Sequence, residues 1–294
     1  MLVARLQPLF RAVIIASLCV ALGACSALRI GYSQAPDLSY WWLDRYVDFN
    51  SAQTPRVRDA LQQWFAWHRR SQLPDYAALL ARAQAELAAD TTPARACEWQ
   101  GEVVKRVRTA WERAVPAVAE LLPSLTLQQV QYIERRYAKV NEDFRDDYLQ
   151  PDARKRAEAA LKRTLERAES FYGKLNDSQR ARIADMLPRS PFDPETWFAE
   201  RQQRQQSIIS MLRQFNGDGA AREPVLAALR GQADQMERSP REPYRRYVER
   251  LNEFNCGFAA SLHNSTTPAQ RRHAADKLAG WEGDLRALVA AASN

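Results

Sequence analysis

Residues that build catalytic, metal and phosphate sites are scarce in this sequence. Histidine occurs three times in 294 residues, and no histidine lies in an HExxH motif or beside a cysteine. The ten glycines form no Walker A, GxGxxG or GxSxG motif, which mark phosphate-binding loops and nucleophile elbows. Because zinc needs several closely spaced ligands, we expect no metal, no cofactor and no catalytic residue, and we interpret the protein as a non-enzyme. His68 shares an apolar stripe and is expected to be a satisfied core histidine, whereas His263 and His273 are expected to be exposed.

Sustained alternation of apolar and polar residues, the mark of half-buried strands, is absent too, and no long Ser/Gly linker divides the chain. Apolar residues recur at helical spacing instead. The sequence therefore predicts an all-α protein of about ten helices in a single domain over 37–294, arranged as a multi-helix bundle or as stacked antiparallel helical hairpins. The clearest helix carries an apolar stripe from Val130 to Tyr148, and the next runs from about Asp152 to Tyr172. Short connections favour packing between helices that are neighbours in the sequence.

The N-terminus has the pattern of an export signal. Arg5 and Arg11 precede an apolar run over 12–22, and the segment contains no acidic residue. A membrane-spanning helix needs about 20 apolar residues, so this run is too short to span and fits the core of a signal peptide. We predict that residues 1–24 are such a signal and are removed.

Cys25 follows Leu22-Gly23-Ala24, and this tetrapeptide is typical of bacterial lipoprotein signals. We expect Cys25 to become the lipidated N-terminus, to bind membrane lipid, and to begin a short tether over 25–36. Ser26 stands where an aspartate commonly retains lipoproteins in the inner membrane, which favours the periplasmic face of the outer membrane. The alternatives are an ordinary secretory signal with an incidental cysteine, or a short membrane anchor.

Export also constrains the partners and the cysteine chemistry. The net charge of +7 falls to +5 once Arg5 and Arg11 are removed, which suits acidic or anionic partners, but a periplasmic location excludes nucleic acid. Cys97 and Cys256 remain after the signal is removed and Cys25 is acylated. An oxidising compartment favours a disulfide between these two cysteines, and two separate buried thiols are the alternative.

One short pattern recurs at predicted helix starts, in which Thr or Asn is followed three residues later by Gln. In a capping box, the first side chain accepts a hydrogen bond from a backbone N–H of the first turn, and the later side chain bonds the N–H of the cap residue. The four matches pair Asn50 with Gln53, Thr126 with Gln129, Asn176 with Gln179, and Thr267 with Gln270. For the first match, Thr54-Pro55 could equally begin the helix.

The capping pattern resembles the LTxxQ repeat of Spy/CpxP-type periplasmic proteins. That family is helical, and its chaperone members hold partly folded clients on a basic, concave surface dotted with apolar residues. The resemblance covers five residues at a time, as in Leu125–Gln129, and implies a chaperone-like activity. Well-built helix starts without that activity are the alternative, because capping boxes are common.

Longer blocks resemble a family of bacterial lipoproteins known only as a domain of unknown function. The aromatic-rich blocks are Tyr40–Tyr46, Trp67–Tyr76, Pro123–Tyr137 and Ser190–Trp197. Gln72 departs from the family pattern, which leads us to expect glutamate there. The resemblance implies a lipid-anchored helical envelope protein, and it implies no reaction, ligand or active site.

Two sets of residues are candidates for contact with a partner. An apolar groove that receives a partner helix could be formed by the early tryptophans, Trp41, Trp42, Trp64 and Trp67, and core packing is their alternative role. An acidic partner would be steered by the most basic helix start, Arg154, Lys155 and Arg156. We therefore predict a protein that binds envelope proteins or peptides, with a chaperone-like role. A structural or assembly lipoprotein is the second hypothesis, and an enzyme of unknown class is the third.

Overall fold

The computed structural model describes residues 27–217 and 221–291, and every regular element within these ranges is helical. The predicted signal peptide and Cys25 lie outside the described residues. In chain order, the twelve α-helices of the described ranges are α1 Ala27–Ser33, α2 Ala35–Val47, α3 Gln53–Ser71, α4 Leu73–Glu86, α5 Pro93–Leu121, α6 Leu127–Tyr148, α7 Ala153–Tyr172, α8 Asp177–Met186, α9 Pro194–Gln214, α10 Arg222–Glu237, α11 Glu242–Asn264 and α12 Pro268–Ala290. The all-α prediction is confirmed, and the helix count is close to the expected one.

Several helices begin and end at residues that the sequence marks. The side chain of Thr92 caps α5, and Pro93 occupies the first turn, where its missing N–H removes no intrahelical bond. Asp152 caps α7 in the same way. That helix ends at Gly173, whose φ of +77° is unfavourable for a residue with a side chain. These predicted boundaries are confirmed.

The segment expected to be a tether is helical from its first described residue. Residues 27–33 form α1, and α2 begins at residue 35. The Tyr32 hydroxyl lies 2.8 Å from Nδ1 of His68 in α3, and Arg29 forms an ion pair of 3.3 Å with Asp284 in α12. The prediction of a tether over 25–36 is therefore wrong from residue 27 onward, because tertiary contacts attach α1 to two distant helices.

Helices far apart in the sequence make the most extensive contacts. α12 packs along α4, α11 and α10 pack against α5, and α9 packs against α6. Contacts between neighbours in the sequence are found for α2 with α3, α3 with α4, α7 with α8, and α9 with α10. Neighbouring helices therefore pack on each other, as expected, but the more extensive contacts join distant helices, because short connections fix only the ends of adjacent helices and leave their faces free to pack elsewhere.

The largest buried cluster joins α5, α6, α9 and α10. Val115, Val130 and Val225 are among its fully buried members. A second cluster holds α7, α8 and α11 together. The Cys97–Cys256 disulfide links α5 to α11, so the predicted pairing is present and joins the N-terminal half of the chain to its C-terminal third.

All four predicted capping boxes are present, and they occur as two facing pairs. The first clasp consists of the boxes that begin α3 and α6, and its residues are Asn50, Gln53, Thr126 and Gln129. The second clasp consists of the boxes that begin α8 and α12, and its residues are Asn176, Gln179, Thr267 and Gln270. At α3, Asn50 makes both bonds of the box in the turn that leads into the helix, which begins at Gln53.

Within each clasp, the two glutamine side chains hydrogen-bond each other. Gln53 Nε2 donates to Gln129 Oε1 over 3.2 Å, and Gln129 Nε2 donates to Gln53 Oε1 over 2.7 Å. Each amide also donates over 2.8 Å to a backbone carbonyl before the opposite helix, at Ser124 and Asp48 respectively. The second clasp repeats this arrangement, with amide–amide distances of 2.7 and 2.9 Å. The recurring pattern therefore fastens pairs of helices together as well as capping them.

We expect Gln129→Ala to lower the free energy of unfolding by about 2 kcal/mol, since it removes a cap worth about 1 kcal/mol and leaves buried partners unpaired at about 1–3 kcal/mol. The groups that lose a hydrogen bond are the Gln53 side chain, which is only 2% exposed and keeps its bond to the Ser124 carbonyl, and the Asp48 carbonyl. Urea unfolding measures the effect. Gln62→Ala, at an exposed position of α3, is the matched control and should change the free energy by less than about 0.5 kcal/mol. Equal effects of the two variants would contradict the clasp.

Candidate functional site

The described structure contains a large apolar groove. Its volume is about 1840 Å³, and its walls come from α2, α3, α5, α6, α9, α10 and α11. Ligand pockets for small molecules usually measure about 300–1,000 Å³, so this space exceeds the usual range. We call it the apolar groove and define it by twelve of its wall residues, Leu38, Trp42, Leu61, Trp64, Val103, Val104, Val107, Trp111, Ile208, Met211, Met236 and Tyr244.

The apolar groove is open to solvent and gathers most of the exposed apolar surface. Among the described residues, seven of the twelve strongly exposed large apolar side chains line it: Leu38, Trp42, Val103, Val104, Val107, Trp197 and Met236. Val107 is 64% exposed in the middle of α5. Single exposed apolar residues are ordinary, but a contiguous patch of this kind marks a surface that contacts something else.

α5 contributes the longest wall of the groove. Val103, Val107, Trp111 and Val118 follow one another at helical spacing, and the sequence predicts one continuous packing stripe. The structure divides that stripe, because Trp111 and Val118 pack on the main core while Val103 and Val107 face open space. The N-terminal half of the stripe is therefore an exposed apolar surface. Apolar spacing shows which face of a helix is apolar, and it does not show whether another element covers that face.

One polar atom of the groove wall has no partner among the described residues. The indole N–H of Trp111 is buried and makes no hydrogen bond. By contrast, the indole N–H of Trp64 in α3 donates to the carbonyl of Ala110 in α5 over 3.0 Å. A buried donor without an acceptor is unfavourable by about 1–3 kcal/mol.

The four predicted tryptophans divide into two groups. Trp42 and Trp64 line the apolar groove, as predicted for a receiving surface, whereas Trp41 and Trp67 do not. Trp41 lies on the outer surface of α2 and is 67% exposed. Trp67 lies beside Trp64, with ring centroids 5.9 Å apart. The structure therefore brings only two of the four side chains into one site.

His68 supports the groove from behind Trp64. The two rings stack with centroids 4.7 Å apart. Burial lowers the pKa of His68, and burial likewise raises the pKa of Tyr32 to about 12. Burial therefore favours the neutral form of both groups, and the Tyr32 hydroxyl and Nδ1 of the imidazole share one hydrogen bond. The prediction of a satisfied core histidine is confirmed.

Charged side chains of both signs form the rim of the groove. Arg108 pairs with Asp234 at 2.6 Å and with Glu237 at 2.9 Å, joining α5 to α10 across one edge. Arg56 donates to the backbone carbonyl of Glu120 over 3.0 Å. An apolar centre with a polar, solvent-accessible rim is the usual composition of a protein-binding surface.

A buried carboxylate stands behind the rim, and the sequence analysis missed it. Glu200 is 4% exposed and accepts hydrogen bonds from Arg204 Nε and Arg241 Nε, each over 2.8 Å. Burial alone would raise the pKa of Glu200, but the hydrogen bonds from Arg241 and Arg204 outweigh it and hold the pKa below its ordinary value. Arg204 also lines the groove. The i, i+4 spacing of Glu200 and Arg204 was the available signal, although such spacing is equally common on exposed helix faces.

The predicted basic segment lies away from the groove. No residue of α7 lines that cavity. Arg154 forms an ion pair of 3.5 Å with Glu158 of its own helix, and Arg156 donates to the carbonyls of Gln150 and Pro151. The structure therefore does not join Arg154, Lys155 and Arg156 to the tryptophans in one binding site.

His263 is buried rather than exposed, so that expectation is wrong. Its Nε2 lies 2.8 Å from the carbonyl of Ala89, and its Nδ1 lies 3.0 Å from the hydroxyl of Tyr172. Because a carbonyl only accepts, Nε2 carries the proton and Nδ1 accepts from the tyrosine. Within residues 27–217 and 221–291, no three His, Cys, Asp or Glu side chains converge as metal ligands.

The disulfide lies at one end of the groove. Gln100 and Asn252 line that end and hydrogen-bond each other over 3.2 Å. They stand one helical turn from Cys97 and Cys256, whose bond joins the same two helices. The covalent link therefore fixes the separation of the α5 and α11 walls at this end.

Comparison with known proteins places the chain in a family. No helix in the described ranges is both long and apolar enough to cross a membrane. No curated protein and no solved structure matches the chain. A family profile described as a family of unknown function, DUF6279, matches residues 45–251, which include α3 to α10 and the groove walls that they form. The match covers more than half of the chain and confirms the resemblance to an uncharacterised family. The chain therefore belongs to DUF6279, a family of unknown function.

Proposed function

We propose that this protein is a lipid-anchored, non-enzymatic binding protein of the bacterial envelope, which holds an apolar helical segment of another polypeptide in the apolar groove. The observation that carries the proposal is the concentration of exposed apolar side chains along one open cavity of about 1840 Å³. The lipoprotein signal ending at Cys25 supports the anchor and the location at the periplasmic face of the outer membrane.

The dimensions of the groove favour a helix as the ligand. A helix with its side chains is about 10–12 Å wide and rises 1.5 Å per residue, so about 13 residues occupy a volume of this size. Met211 and Met236 contribute flexible side chains to the wall, and methionine adapts readily to different apolar partners. The groove therefore suits a short amphipathic helix presented through its apolar face.

The walls also disfavour an extended peptide. The described ranges contain helices and no strands, so the groove offers no sheet edge to pair with the backbone of an extended ligand. A backbone buried without hydrogen bonds is unfavourable. A helical ligand satisfies its own backbone, and it needs only apolar contact with the walls.

Charged substitutions in the α5 wall should abolish tight binding. We expect Val104→Asp combined with Val107→Asp to weaken binding of a labelled amphipathic helical peptide at least tenfold, equivalent to about 1.4 kcal/mol, because burial of the peptide would desolvate two carboxylates. Both valines are exposed, so the fold should persist. Fluorescence anisotropy measures the affinity for the peptide. The double variant should also be less able than the unmodified protein to suppress aggregation of an unfolded client.

Leu127→Asp is the matched control for this experiment. Leu127 is an exposed apolar residue outside the groove, in the first turn of α6, where an acidic residue is tolerated. The Leu127→Asp variant should bind the peptide with the same affinity as the unmodified protein. Equal affinity of all three proteins would contradict binding in the groove, and the absence of any peptide binding would favour a structural or assembly lipoprotein instead.

A further inference from the structure

The outer face of α2 carries an apolar stripe that no element of the described structure covers. Leu38, Trp41, Trp42 and Arg45 follow the i, i+3, i+4, i+7 spacing of one helix face. Leu38, Trp41 and Trp42 are 60%, 67% and 59% exposed. A stripe of this width normally faces a protein core, so its exposure requires a partner outside the described chain.

The opposite face of α2 already fixes the helix to the body. Tyr40 is buried, and its hydroxyl lies 3.1 Å from Oγ1 of Thr54 in α3. The guanidinium of Arg58 stacks over the Tyr40 ring at 3.9 Å. Because α2 is held by these contacts, its tryptophans are presented outward from a rigid support rather than from a loose segment.

The position of the stripe in the chain identifies the partner. Leu38 is eleven residues beyond Ala27, where the described structure begins, and α1 and α2 are almost continuous. At about 1.5 Å per residue, the stripe starts within about 17 Å of that end, which is itself two residues from Cys25. If Cys25 carries lipid, as the proposed function requires, the stripe lies beside the surface that holds the acyl chains.

The chemistry of the stripe fits a bilayer interface. Tryptophan has an apolar ring system and one polar N–H, and it is enriched where a protein meets lipid headgroups. The two acids of α2 are occupied elsewhere: Asp37 pairs with Arg58 at 2.7 Å, and Asp44 accepts from the N–H of Phe49 over 3.0 Å. The stripe therefore offers lipid an apolar surface with little opposing charge.

We infer that the α2 stripe, Leu38, Trp41 and Trp42, is a membrane-docking surface that inserts into the leaflet holding the Cys25 lipid. This inference rests on the anchor in the proposed function. Since Leu38 and Trp42 also line the apolar groove, docking sets the groove mouth at the level of the headgroups. Ligand helices would then enter beside the membrane. Arg45 lies one turn beyond these three residues, and Asp37 beside them is paired with Arg58, so docking depends on apolar contact and requires no anionic lipid.

Quenching by brominated lipid tests the docking surface. The acylated protein is purified from membranes and reconstituted in phosphatidylcholine vesicles whose acyl chains carry bromine. We expect tryptophan fluorescence to be quenched, and we expect Trp41→Phe combined with Trp42→Phe to remove at least half of the quenching. Trp281→Phe, at an exposed position of α12, should leave the quenched intensity unchanged. Added anionic lipid or salt should not alter the result.

Other outcomes overturn the inference and separate it from the proposed function. If the acylated protein shows no tryptophan quenching, or if the double variant is quenched as strongly as the unmodified protein, the docking surface is contradicted. The proposed function is not affected by either result. Mass spectrometry of the same preparation reports the anchor, and unacylated Cys25 removes both the anchor and the docking surface. Val104→Asp combined with Val107→Asp should retain full quenching while losing peptide binding. Concentration-dependent dimers that shield Trp41 would assign the stripe to a second copy of the chain.

Discussion

Replacement of Cys97 and Cys256 together by serine is expected to lower the free energy of unfolding by about 5 kcal/mol. The disulfide closes a loop of 159 residues, and the chain-entropy relation gives about 4.7 kcal/mol for 100 residues with slow growth beyond that length. The double variant is preferred to single variants, because a lone buried thiol would add its own effects. Urea unfolding under oxidising conditions measures the difference.

The same change should affect the groove. Gln100 and Asn252 meet across the groove one turn from the disulfide, so loss of the covalent link frees the α5 and α11 walls to separate. We expect weaker peptide binding by the folded double-serine variant than by the oxidised protein. Reduction of the unmodified protein should reproduce both effects. An unfolding free energy unchanged by either treatment would show that the bond contributes nothing to stability.

Glu200→Gln is expected to lower the free energy of unfolding by about 3 kcal/mol. Removal of one member of a buried ion pair is unfavourable by about 3–5 kcal/mol, and the lower end applies because Arg204 and Arg241 are partly exposed. Asp185→Asn is the matched control. Asp185 forms an exposed i, i+4 pair with Arg189 at 2.7 Å, and such surface pairs contribute about 0–1 kcal/mol.

The contribution of Glu200 to the free energy of unfolding should decrease as the pH falls into the acid range. The pKa of Glu200 is lower in the folded protein than its ordinary value, so the unfolded chain binds a proton at higher pH than the native protein does. The carboxylate therefore makes its full contribution to the free energy of unfolding above the ordinary carboxyl pKa of about 4.3. That contribution is lost as the pH falls through the lower pKa of the native state. The free-energy difference between wild type and Glu200→Gln should be constant near pH 7 and should shrink in acid.

Local features of the chain were predictable because neighbouring residues determine them. Thr92, Asp152 and Asn176 cap their helices through bonds to residues two or three positions away. The pairing of boxes into clasps was not predictable in this way. Gln53 meets Gln129 across 76 residues and Gln179 meets Gln270 across 91, and nothing in a five-residue pattern indicates which other pattern it will face.

The exposed α5 wall of the groove and the helical form of α1 were missed for related reasons. Val107 has the spacing of a core residue, and only the placement of α10 and α11 leaves it uncovered. Gly31 and Pro36 suggested a tether, but Pro36 sits in the first turn of α2, where proline is tolerated. Tyr32 fixes α1 through a bond to a histidine 36 residues away. Each of these features depends on tertiary contacts that apolar periodicity does not specify.

Site-specific photo-crosslinking from position 107 in intact cells tests the central claim most directly. A photoreactive residue in place of Val107 projects from the exposed part of the α5 wall, and the same residue in place of Leu127 is the control. The account predicts polypeptide crosslinks from position 107 whose sites map to one face of amphipathic helices, and none of these from position 127. Crosslinks from position 107 to lipid alone, to a second copy of this chain alone, or to nothing would contradict it.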